Sequence, residues 1–108
     1  MKATFGEYIK KLRIENGLTL TQLAAQLELD SANLSKIENG KREFDEKRLI
    51  KLSIALGLNI DILKTEFFSD LFAKKIYQNN CSIETLTVAE EKVNYLKSMN
   101  VKQTKLKF

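Results

Sequence analysis

Three of the four glycines, Gly17, Gly40 and Gly57, directly follow short runs whose apolar members recur every three or four positions. That spacing gathers apolar side chains on one side of an α-helix. A glycine just past the last of them offers the left-handed exit with which many helices end. With no proline anywhere in the 108 residues, the chain is restricted to short helices joined by tight turns and packed through narrow apolar stripes.

The polar residues between the stripes fit the same plan. Thr4 can cap a first helix through Asn16, with Phe5, Ile9 and Leu12 on one side. Thr19 and Gln22 form a Thr-x-x-Gln capping box for a second helix, Leu20 to about Leu27, burying Leu23, Ala24 and Leu27. Asp30 can cap a third from Ser31 to about Glu38, with Leu34 and Ile37 inward and Asn39-Gly40 as its exit. Asp45 starts a fourth, with Leu49, Leu52, Ala55 and Leu56 inward, and Asn59 starts a fifth that carries Ile60, Leu63 and Phe67.

Beyond Phe68 the stretch SDLFAKKIYQNN reads as a separate helix, broken at Asn79-Asn80. Ser82 then caps a long helix to about Met99, in which Leu86, Ala89, Val93 and Leu96 have the 3-4-3 spacing of a coiled-coil seam. The expected architecture is all-α: a five-helix domain over residues 1–68, a two-helix extension over 69–99 and a basic tail over 100–108.

Charge narrows the partners. The formal net charge is +4, yet residues 1–66 carry 11 Lys/Arg against 10 Asp/Glu and residues 67–108 carry 7 against 4. A polyanion-binding face in the first region must therefore arise from local placement of cations. A single cysteine, Cys81, cannot close an internal disulfide, and the amphipathic N-terminus has no apolar signal core, so a cytoplasmic protein off the membrane is expected. There is no histidine and no paired cysteine, which leaves no His-based acid–base centre and no zinc site. Neither an enzyme, a metal, a cofactor nor a small-molecule ligand is expected.

The stretch SANLSKIENGKR carries the functional signal. Leu34 and Ile37 fall on one side of its helix, and small polar residues and Lys36 on the other, followed at once by two more cations. A recognition helix enters the major groove of DNA by its N-terminal end. Ser31, Ala32, Asn33, Ser35 and Lys36 would then approach base edges. Asn33 can pair bidentately with adenine, Lys36 with guanine, and the Ala32 methyl can touch a thymine methyl. Asn39, Gly40, Lys41 and Arg42 form the exit loop of this helix, where Gly40 lets the backbone come close and the two cations add charge that reads no sequence.

The run GLTLTQLAAQLELDSANLSKIENGKR, followed by LIKLSIALGLNIDIL, resembles the Xre family of helix-turn-helix DNA-binding domains, which includes the Cro and repressor proteins of lambdoid phages. The resemblance spans about Phe5 to Leu63, with the motif itself at about 20–39. It implies a lambda-repressor-like fold and an exit loop, Asn39, Gly40, Lys41 and Arg42, that grips a phosphate. It also implies a partly buried ion pair between Arg13 and Glu38 that braces the first helix against the third. Two positions depart from the family pattern. Leu20 stands where a phosphate-touching Gln is frequent, leaving Thr19 or Thr21 to substitute, and Glu28 stands where the turn usually has Gly.

The expected function is sequence-specific transcription regulation by a homodimer on a palindromic double-stranded operator. Its half-sites would lie about 34–36 Å apart. Leu63, Phe67, Leu86, Ala89, Val93 and Leu96 would supply the dimer contacts. Small members of this kind include phage-type repressors, restriction–modification controller proteins and antitoxin autorepressors. The reading from a different class is a protein-interaction adaptor, whose C-terminal helices bind a partner while the helix-turn-helix serves only as scaffold.

Overall fold

Two capping boxes set the first helices. The Thr4 hydroxyl accepts the Glu7 backbone N–H at 3.2 Å while the Glu7 carboxylate accepts the Thr4 N–H at 2.8 Å. These bonds, that from the Thr4 backbone first, hold the Glu7 carboxyl below its usual pKa. Thr19 and Gln22 repeat the arrangement at 3.1 and 2.9 Å. The computed structural model describes residues 3–102 and, among them, six α-helices and no strand. They are α1 (Phe5–Glu15), α2 (Leu20–Gln26), α3 (Ser31–Glu38), α4 (Leu49–Leu56), α5 (Ile60–Gln78) and α6 (Glu84–Lys102). No helix among the described residues is long and apolar enough to cross a membrane. Positions 103–108 of the expected basic tail lie outside the described residues.

Three boundaries differ from expectation. Asp45 caps a 3-10 turn, Glu46–Arg48, and α4 begins only at Leu49. The expected fifth and sixth helices are one continuous α5. No glycine or proline interrupts residues 60–78, and the Ser69 hydroxyl donates back to the Glu66 carbonyl at 3.2 Å instead of capping a new helix. The last helix begins at Glu84, two residues after Ser82. The chain divides into two compact units inside α5, one ending at Leu71 and one beginning at Phe72.

The first unit holds the core. Ile9, Leu23, Leu27, Leu34, Leu52 and Leu63 are fully buried. An aromatic cluster closes one side: Phe5 meets Phe44 edge-on at 5.5 Å and Phe67 at 5.2 Å between ring centroids. Phe44 sits in the acidic turn EFDE, where no helical period marks it as a core residue. Leu63 and Phe67, expected at a dimer interface, are only 0% and 7% exposed within this single chain. That expectation is corrected: both side chains already pack in the chain's own core. In the second unit, by contrast, no residue from Phe72 to Asn100 is buried.

The first and third helices are fastened together. Arg13 Nε donates to Glu38 Oε2 at 2.8 Å and Nη2 to Oε1 at 3.1 Å, while Nη1 reaches the Leu18 carbonyl at 2.9 Å. Both side chains are nearly excluded from solvent, at 11% and 3% exposure. Gly6 lets α1 approach the end of α3 so closely that a Cβ there would overlap the Ile37 carbonyl oxygen. Arg13→Ala strands the Glu38 carboxylate in the interior and should lower unfolding free energy by about 3 kcal/mol, measured by urea titration. Gly6→Ala should cost about 1–3 kcal/mol by forcing the two helices apart. An unchanged denaturation midpoint in either variant would contradict this packing.

Candidate nucleic-acid interface

Leu34 and Ile37 are buried at 0% and 4% exposure, so the rotation of α3 about its axis is set by the core. Apart from the buried Glu38, the remaining positions of the helix face outward. Ser31, Ala32 and Lys36 are exposed, and Asn33 and Ser35 are half-buried. The Asp30 carboxylate accepts the Asn33 backbone N–H at 2.7 Å and fixes the helix start. An outward surface of small polar groups led by one helical turn fits a groove that admits a helix and offers donors and acceptors on its floor.

The exit of α3 is equally well set. Gly40 adopts φ +77°. Its N–H donates to the Ile37 carbonyl at 3.1 Å, and the Lys41 N–H donates to Lys36 at 2.8 Å. This paired closure satisfies the last carbonyls and turns the chain sharply. Asn39, Gly40, Lys41 and Arg42 all emerge exposed. Thr19 and Thr21 are exposed at the start of α2, where the Thr19 hydroxyl accepts from Gln22 N–H and can still donate outward. Leu20 packs against the core instead of reaching out.

The turn between α2 and α3 carries Glu28 at φ +59°. A left-handed conformation costs a side-chain-bearing residue about 1 kcal/mol. The Glu28 carboxylate forms an ion pair with Lys51 of α4. Arg48 donates to the Leu27 carbonyl at 2.9 Å and to Asp45 at 3.0 Å. The turn is thus held from outside by α4 and by the segment that leads into it.

Two features escaped the sequence reading. Lys10 and Lys11, together with Asn39 and Gly40, line a groove of about 550 Å³ between α1 and the end of α3. These cations stand beside the exit loop although they are thirty residues away in sequence. Their adjacency on one helix was visible, but only the packing of α1 on α3 places them there. The second feature is Asn33, whose amide is engaged at both ends. Its Nδ2 donates to Asp30 Oδ2 at 3.1 Å and its Oδ1 accepts from Arg42 Nη1 at 2.9 Å.

Comparison with known proteins agrees with this geometry. The helix-turn-helix family model matches residues 9–63, just over half of the chain. The control protein C.MunI of a Mycoplasma species is 42% identical over 72 residues, covering 66% of this chain and 92% of that protein. The HTH-type transcriptional repressor RghR of Bacillus subtilis is 34% identical over 84 residues, covering 74% of this chain and 62% of RghR. Among solved structures, the restriction-modification controller protein C.AhdI of Aeromonas hydrophila superposes with a TM-score of 0.50 at 30% identity, over 55% of this chain and 89% of that one. A buried-stripe α3 presenting its polar face, in a chain so matched, has one classification: this protein belongs to the Xre-type helix-turn-helix family.

Proposed function

We propose that the protein is a sequence-specific transcription regulator that binds double-stranded DNA as a homodimer on a two-fold-related operator, and that within its family it acts as a controller protein of a restriction–modification system. The observation that carries the reading is the exposed first turn of α3, held out from a core that grips Leu34 and Ile37. Ser31, Ala32, Ser35 and Lys36 approach base edges. Thr19, Thr21, Asn39, Gly40 and Lys41 face the backbone. The controller role rests on the similarity to C.MunI and C.AhdI, whose lengths this chain covers almost fully.

Dimerisation rests on a separate observation. On α6, Leu86, Val93 and Leu96 are 48%, 49% and 39% exposed, and Ala89 between them is exposed as well. A row of apolar residues at heptad spacing, left in water, destabilises a free helix and is relieved by a matching row. A second copy of the same chain supplies one, and a two-fold pair of recognition helices doubles the number of base pairs read.

Affinity for duplex DNA should fall steeply as salt rises, because phosphate contacts release counterions. Lys41→Ala should weaken binding to all sequences by a similar factor and reduce the slope of log affinity against log salt by about 1. Lys36→Ala should instead change which sequence is selected. Fluorescence anisotropy over a salt series, with random and selected duplexes, reads both. A protein whose binding is flat with salt is no DNA regulator. For the assembly, light scattering at micromolar concentration should give twice the chain mass, and Val93→Glu should halve it. A wild-type monomer both free and on DNA would exclude the homodimer.

A further inference from the structure

The bonds of Asn33 compete with a direct role in reading adenine. Bidentate pairing with adenine needs the amide oxygen and the amide nitrogen of Asn33 to be available together. Here Oδ1 accepts from Arg42 and Nδ2 donates to Asp30, which takes one of the two acceptor sites and one of the two N–H groups of the amide and orients it toward those partners. The three side chains form a chain of contacts, Asp30 to Asn33 to Arg42, with Asp30 also fixing the start of α3.

The same bonds relocate Arg42. Its backbone belongs to the exit loop beyond Gly40, where a phosphate contact would be expected. Its guanidinium, however, lies against Asn33, six residues before Asn39 and so roughly 9 Å along the helix axis toward the N-terminal end. That is the end which enters the groove. The bond to Asn33 uses one of the five guanidinium N–H donors, and a planar fork remains. The edge of the base that such a fork matches is guanine O6 and N7.

We infer that Arg42 is a specificity-determining residue that reads guanine in the operator half-site, and that Asn33 is a positioning residue which, backed by Asp30, holds the Arg42 fork at the N-terminal turn of α3. The inference rests on the DNA-binding reading above and changes the chemistry assigned to two of its residues. Arg42 moves from phosphate to base. Asn33 acts through Arg42.

Selection of duplexes from a randomised half-site library separates the possibilities, using the full chain and the variants Arg42→Lys, Asn33→Ala and the double variant. A circular-dichroism melt verifies that each is folded. The wild type should select guanine at a position where Arg42→Lys loses the preference by roughly 5- to 150-fold. Its salt slope should stay unchanged, because the charge is kept and only the fork is lost. Asn33→Ala should lose preference at that same position, and the double variant should be no worse there than Arg42→Lys. An unaltered motif in Arg42→Lys, or loss of an adenine preference in Asn33→Ala alone, overturns the assignment while leaving DNA binding intact. Failure of the wild type to bind any duplex in a salt-dependent way overturns the DNA-binding reading itself, and this inference with it.

Discussion

The interface depends on one clamp. Arg13 joins α1 to the last turn of α3 through two charge-assisted hydrogen bonds and reaches the loop before α2 with a third. A buried ion pair contributes little net stability when compared with apolar residues of the same size. Its value here is geometric. Glu38 is the last residue of α3, so fixing its carboxylate fixes where the helix ends and where the exit loop begins. The absence of a side chain at Gly6 allows the approach that brings the two partners within bonding distance.

The rest of the site follows from that fixed end. Burial of Leu34 and Ile37 sets the rotation of α3, the clamp sets its position, and the left-handed Gly40 sets the direction in which Lys41 and Arg42 leave. The turn before α3 is held in the same way from the other side. Its strained residue, Glu28, is tied to Lys51, and Arg48 takes the Leu27 carbonyl. A rigid reader lowers the ordering cost of binding, since the side chains that meet the ligand lose little freedom on contact. Lys36, which has no such bond among the described residues, retains that freedom.

The two units put their apolar residues to different uses. In the first, the aromatic group of Phe5, Phe44 and Phe67 seals a core that needs no other chain. In the second, the helical stripe of α6 is in water. The contrast explains why apolar spacing alone misassigned Leu63 and Phe67. A stripe at period 3.6 states that a face will be covered, and the identity of the cover is a property of the assembled chain.

The sequence by itself determined the first three helices and their ends. Capping bonds and left-handed exits form between residues two to five positions apart, so Thr4, Thr19, Asp30 and Gly40 could be assigned from spacing alone. The limits of α3 and the outward face of its first turn were legible for the same reason. Only the tertiary structure decided that α5 continues through Ser69, that Phe44 turns inward, that Lys10 and Lys11 stand beside the exit loop, and that Arg42 reaches back to Asn33. Each of these depends on the path of a turn or on the packing of distant helices. A contact across such a path is fixed by the fold as a whole and leaves no local pattern in the chain.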